Sequence, residues 1–234
     1  MLSFDYCCSE CGRTYEITVE LMLCPECAPQ KKLDEPLRGV LEVRLNGTTK
    51  GTPCPLDLLP VERKHFPDLP VGNTPLWRSE KLCLLHGFHQ LYLKDDGLNP
   101  TGSFKDRASF LVAAFAHKHG MKEVVVASTG NAGSSMSGVG AAAGLRVKLF
   151  IPKTAPKAKI IQALQYGAEV IMVEKNYDQA FALSLEYTSL YGGLNRNTAY
   201  NPMTIEGKKT VSFEIMEQLK KIPDLVFVSV GDGV

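Results

Sequence analysis

An α/β fold built on a parallel sheet is what this chain predicts, and three observations carry that expectation. Short apolar runs recur through the second half: LYLKD (91–95), EVVVAS (123–128), RVKLFI (146–151), AEVIMV (168–173) and DLVFVSV (224–230). The intervals between them have helical spacing; in the first, Phe104, Ala108, Leu111, Val112 and Phe115 fall on one face. Strands that alternate with helices require right-handed crossovers, which make neighbouring strands parallel and cover both sheet faces. No internal repeat or low-complexity tract competes with this reading.

Composition narrows the class. The 234 residues are 44% hydrophobic and 22% charged, which suits a packed globular chain and argues against disorder or coiled coil. With 26 basic and 25 acidic residues the formal charge is +1, so no bulk affinity for nucleic acid or anionic membrane is expected. No apolar run reaches the roughly 18 residues of a membrane span. The opening MLSFDYCCSE has neither a basic n-region nor an apolar h-region, so a soluble, cytoplasmic protein is expected.

Taken in chain order, residues 1–30 form a small cysteine unit. Five of the seven cysteines lie here, and Cys8-x-x-Cys11 and Cys24-x-x-Cys27 are twelve residues apart. Paired knuckles at this spacing bring four thiolates around one Zn²⁺ in a closed, structural site. Cys7 offers an alternative first ligand. Between the knuckles Arg13 is the only basic residue, which argues against nucleic-acid binding. Residues 31–75, rich in Pro, Gly and Leu, read as an irregular wrapping segment that continues to about residue 95 as the first part of a larger domain.

Asn99-Pro-Thr-Gly-Ser-Phe-Lys105-Asp-Arg107 comes next. Ser103 and Asp106 are spaced as a capping box, predicting a helix start at Ser103 with Lys105 in its first turn. The partial positive charge of a helix N-terminus disfavours a second cation, so the neutral, nucleophilic amine is favoured there. Ser128-Thr129-Gly130-Asn131 follows the strand EVVVA; such a turn presents amides and hydroxyls to an anion. The helix after it is crowded with small residues, from Gly133 to Ala143, and allows close approach. Gly130-Asn-Ala-Gly133 is not G-x-G-x-x-G, and the next strand ends in Ile-Pro-Lys without an acidic ribose ligand, which disfavours a dinucleotide. Gly231-Asp232-Gly233 is a further turn suited to a phosphate. His65, His86, His89, His117 and His119 share no ligand spacing and are expected on the surface.

Together these segments resemble the fold-type-II pyridoxal-phosphate enzymes, and within them the threonine synthase family. The likeness runs from VGNTPLW (71–77) through LYLKDDGLNPTGSFKDR, ASTGN, NPMTIEGKKT and SVGDG, and includes the zinc-ribbon-like leader. It implies a two-domain α/β architecture: 1–30 zinc-ribbon-like, 31–95 wrapping segment and first part of the large domain, 96–194 small open domain, 195–234 an incomplete return to the large domain. It implies that Lys105 carries the cofactor covalently and shuttles protons. Asn131 would bond the cofactor's ring oxygen, and Gly231, Asp232 and Gly233 would hold its phosphate. Ser128, Thr129, Gly130 and Asn201 would hold the substrate. The implied reaction converts O-phosphohomoserine and water to threonine and phosphate in a homodimer.

Four positions depart from the family's pattern: Thr204 where an arginine is usual, Ala132 where a threonine is usual, and Asp232 and Val234 in the phosphate loop. A hydroxyl cannot replace a bidentate guanidinium. A related β-eliminating or β-replacing enzyme, such as a dehydratase or ammonia-lyase, is therefore the alternative, with a non-catalytic zinc-containing module as a third reading. Because the GDG turn should feed a helix covering strand 224–230, the sequence further predicts a fragment whose site is incomplete and which by itself binds cofactor weakly.

Overall fold

A computed structural model describes residues 2–32, 35–49 and 53–229. Three sheets are present among them. The first is antiparallel, in the order β2-β1-β3, from β1 (Ser3–Cys8), β2 (Thr14–Tyr15) and β3 (Leu41–Asn46). A second is the antiparallel pair β4 (Leu76–Arg78) and β5 (Tyr92–Lys94), with helix α1 (Glu80–His86) between them. The third and largest is wholly parallel. Its strands are β6 (Glu123–Ala127), β7 (Arg146–Pro152), β8 (Glu169–Val173) and β9 (Leu194–Asn195), in the order β8-β7-β6-β9. Helix α2 (Lys105–Lys118) precedes β6; α3 (Asn131–Ala142), α4 (Lys157–Gln165) and α5 (Tyr177–Tyr191) cross between these strands, and α6 (Pro202–Lys208) and α7 (Thr210–Leu219) follow.

Side-chain alternation along the parallel strands sorts the helices. Val124, Val126, Leu149 and Leu194 pack in one core cluster with Leu111 and Phe115 of α2 and Met136 and Val139 of α3. Val125, Ala127 and Phe150 point the other way, into a smaller cluster with Ala180 and Phe181 of α5. A period of two on the strands thus sends α2 and α3 to one face and α5 to the other.

The small residues of α3 have a packing reason. A methyl on Gly140 would lie 2.4 Å from Val147, one on Gly133 2.8 Å from Leu149, and one on Gly138 2.5 Å from Thr101. The helix therefore lies against β7 and against the loop that precedes Lys105 more closely than any side chain would permit.

Four expectations need correction. The wrapping segment holds a regular strand, β3, which the proline- and glycine-rich sequence hid because its partner β1 is far away in the chain. Residues 224–229, expected as a strand, belong to no strand, and Leu225, Val226, Phe227 and Val228 are exposed; a strand needs a hydrogen-bonded neighbour, and no described residue supplies one. The capping box does not form. Helix α2 begins at Lys105, Ser103 Oγ accepts from the Lys105 N–H at 3.0 Å, and the Asp106 carboxylate turns back to the N–H and hydroxyl of Thr101. Finally, His117 is no free surface group: its two ring nitrogens lie 2.9 and 2.8 Å from the carbonyls of His65 and Ala143.

No helix among the described residues is long and apolar enough to cross a membrane. All seven cysteines are free thiols.

Candidate active site and thiol cluster

Lys105 stands at the first position of α2, half-buried, with its ammonium nitrogen 5.7 Å from the ring centroid of Phe104. Its place is fixed by the residue two further on. Arg107 is buried and forks onto two carboxylates: Asp96, at 2.6 and 2.8 Å, and Glu214 of α7, at 2.5 and 2.8 Å. Lys94 adds a 2.7 Å ion pair to Glu214. Burial by itself would raise the Glu214 carboxyl, but hydrogen bonds from Arg107, Lys94 and the Asn73 N–H outweigh it and hold it at about 2. The motif residues Asp96, Asn99, Thr101, Asp106 and Arg107 thus form the mount on which Lys105 is held.

Facing α2 across a hydroxyl contact is α3. Ser135 Oγ donates to Ser109 Oγ at 2.8 Å. Ser109 is four residues beyond Lys105 and Ser135 four beyond Asn131, so each pair shares a helix face. The contact therefore joins the helix that Lys105 begins to the helix that Asn131 begins, one turn along each. Gly130 precedes α3 in an extended conformation, with φ −151° and ψ −136°, and a methyl there would meet nothing within 4 Å. Ser128 is buried and its hydroxyl accepts from the Gly130 N–H at 3.1 Å, while Thr129 and Asn131 are exposed. The start of α3 carries the partial positive charge of a helix N-terminus, so this end of the helix favours an anion.

Asn201 and Thr204 are placed differently from the other expected substrate residues. Asn201 is fully buried as the N-cap of α6; its side chain accepts from the Met203 N–H at 2.9 Å and donates to the Asn195 carbonyl at 2.7 Å. Thr204, also fully buried, donates its hydroxyl to the Asn201 carbonyl at 2.7 Å. Both shape the turn after β9. Gly231, Asp232 and Gly233 lie outside the described residues. The sequence reading missed Arg196, fully buried between Ser109 and Thr198. A lone arginine after a two-residue strand carries no signal in the sequence. Bordering the Arg107–Glu214 mount, a cavity of about 530 Å³ lies between the wrapping segment and α7, lined by Pro53, Leu56, Val71, Arg107, Phe110 and Glu214 among others.

At the other end of the described chain, the Sγ atoms of Cys8, Cys11, Cys24 and Cys27 all lie within 4.8 Å of one another. Cys8 and Cys27 are 3.9 Å apart and Cys11 and Cys24 3.7 Å. Four sulfurs about 2.3 Å from a tetrahedral metal would stand about 3.8 Å apart, so the cluster has the size of a zinc site. Cys7 is not part of it: its sulfur faces the Arg44 guanidinium at 2.8 Å, on the other side of β1.

Comparison with known proteins agrees with this arrangement. The sequence profile of the family described as pyridoxal-phosphate dependent enzyme matches residues 68–234. The threonine synthase of Methanosarcina acetivorans is 35% identical over 233 residues, covering 97% of this chain and 56% of the relative. That of Methanocaldococcus jannaschii is 36% identical over 235 residues, with 97% and 57% covered. The chain therefore spans little more than half the length of these curated relatives. Among solved structures, a pyridoxal 5′-phosphate-dependent aspartate racemase superposes with a TM-score of 0.59 at 28% identity, over 63% of this chain and 46% of that one. Maize serine racemase gives 0.59 at 26%, over 64% and 46%. Diaminopropionate ammonia lyase of Escherichia coli shares the fold alone, with a TM-score of 0.58 at 19% identity over 64% and 49%.

Proposed function

This chain belongs to the pyridoxal-phosphate-dependent enzyme family, and from that premise we propose that it is the cofactor-bearing part of a lyase of the threonine synthase type, converting O-phosphohomoserine and water to threonine and phosphate. The observation that carries the proposal is the Ser109–Ser135 hydrogen bond, which joins α2, begun by Lys105, to α3, begun by Asn131, with the motif residues themselves holding the start of α2.

The donor set fits the cofactor. A primary amine can join an aldehyde, a side-chain amide can bond a ring oxygen, and a cluster of amides and hydroxyls can hold a carboxylate. Lys105 and Asn131 would hold the ring, and Gly231, Asp232 and Gly233 its phosphate. Bound there, pyridoxal phosphate supplies an electron sink for charge developing at the substrate's α-carbon. The chain's own residues do the rest. Ser128, Thr129 and Gly130 orient the substrate carboxylate at the N-terminus of α3, where the helix field favours negative charge. Asn201 fixes the turn that borders them. Lys105 takes and returns protons at the substrate carbons, its amine positioned by the Arg107 mount. The four-cysteine cluster holds one structural Zn²⁺ that leaves no open coordination position. Free thiols throughout suit a cytoplasmic protein, and a homodimer is the proposed assembly.

Borohydride reduction of the cofactor-loaded, complete protein, followed by peptide mapping, tests the site. The pyridoxyl label is expected on Lys105; recovery mainly on Lys94 or Lys153 refutes it. Phosphate release from O-phosphohomoserine tests the reaction. A correctly labelled protein that releases none, but deaminates serine or threonine, favours the dehydratase or ammonia-lyase reading, which Thr204 and Ala132 keep in play.

A further inference from the structure

Arg196 has no place in the scheme above, yet it is the largest fully buried side chain among the described residues. Its direction is set by the strand. Asn195 and Asn197 send their side chains to Ser184 of α5, so Arg196 points to the opposite face, toward α2 and α3. There its guanidinium meets only hydroxyls: Ser109 Oγ at 3.4 Å from two nitrogens, and Thr198 Oγ1 at 3.3 Å. None of the ion pairs among the described residues includes it. Tyr177 and, less strongly, Asp106 contribute to its field, and the Asp106 carboxylate is committed to Thr101. Burial accordingly holds Arg196 below its ordinary value, at about 10.

A buried guanidinium with long bonds to neutral partners is costly to maintain, because hydroxyls at 3.3–3.4 Å offset little of its lost hydration. Its position gives the cost a purpose. Ser109, which pairs with Ser135, lies one turn along α2 from Lys105, so the charge sits one helical turn from the lysine of the proposed site. Its other partner, Thr198, is half-buried and precedes Ala199, whose φ of +64° is a left-handed conformation that an alanine rarely adopts. The cover over Arg196 is thus a strained turn held to it by one hydroxyl.

We infer that Arg196 is a specificity-determining residue that receives the second anionic group of the substrate, a phosphate ester under the reading above, in exchange for the Thr198 hydroxyl. The inference deepens that reading and rests on it for the identity of the ester. A guanidinium can offer two parallel N–H groups to a phosphate, which neither Ser109 nor Thr198 can.

Inorganic phosphate is the probe, with its dissociation constant measured by thermal shift on the complete, cofactor-loaded protein. Arg196→Gln should weaken phosphate binding at least about tenfold, and Arg196→Lys should restore part of the loss. Thr198→Val keeps the charge and removes the competing hydroxyl, so phosphate should bind as tightly or more tightly. If Arg196→Gln fails to fold, Thr198→Val and Arg196→Lys decide alone. Unchanged affinity in the Arg196 variants, or weaker binding in Thr198→Val, overturns the inference. Phosphate binding that depends on Arg196 without turnover of O-phosphohomoserine overturns the proposed substrate and leaves the anion subsite standing.

Discussion

Two residues past Lys105, Arg107 shows how a single side chain sets the geometry of a site it does not enter. It holds Asp96 before α2 and Glu214 on α7, so the start of α2 is tied to segments eleven and 107 residues away in sequence. The Glu214 carboxyl is held at about 2 against an ordinary 4.5. A carboxyl lowered on folding stabilises the protein above its unfolded value, and the stability is lost as pH falls from about 4.5 through about 2. Glu214→Gln should therefore cost on the order of 3 kcal/mol at neutral pH, and the deficit should shrink progressively below about pH 4.5. Urea unfolding of both proteins at several pH values measures this, and a deficit independent of pH would overturn it. Arg107 and Asp96 were legible in the sequence as parts of one motif; Glu214 was not, because an ion pair across 107 residues leaves no spacing to read.

Close packing governs at the scale of elements. Helix α6 lies against the first turns of α2: a methyl on Gly207 would stand 2.4 Å from the Arg107 carbonyl and 3.0 Å from the Ala108 Cα. Both obstacles are backbone and cannot rotate aside. Gly207→Ala should cost about 1–3 kcal/mol and shift the start of α2, reducing cofactor affinity as well as stability. Cofactor titration and thermal unfolding of the variant check both, and an unaltered affinity would separate α6 from the site. By contrast Gly130→Ala meets nothing within 4 Å, so its effect on the fold should be small and its effect on substrate binding the informative one. Comparing the two substitutions distinguishes glycine needed for packing from glycine needed for access.

For the whole molecule, the cysteine cluster and the parallel sheet share one core. Cys8, Cys24 and Cys27 belong to the same buried cluster as Leu111, Phe115 and Val124, and β3 packs against α6. A metal at the cluster is therefore expected to stabilise the whole protein and not its first thirty residues alone. Purified protein should carry about one equivalent of zinc, and Cys24→Ser with Cys27→Ser should abolish it. Chelation should lower the unfolding temperature measured on the α2–β6 region as well as that measured near β1. Less than about half an equivalent of metal, or a loss of structure confined to β1–β3, would count against this.

Sequence by itself determined the α/β class, four of the five named strands' existence, the spacing of the thiol cluster and the motifs that carry Lys105 and Asn131. Each of these is a local property: periodicity, a short motif, a turn beside a strand. What only the tertiary structure decided has long reach. It made β3 a strand by pairing it with β1, moved Asp106 from a helix cap to Thr101, assigned Asn201 and Thr204 to the turn after β9, and buried Arg196 against Ser109 of α2. In each case the deciding partner lies on another element or across a turn, where hydrogen-bond geometry and burial, and not residue type, choose the outcome.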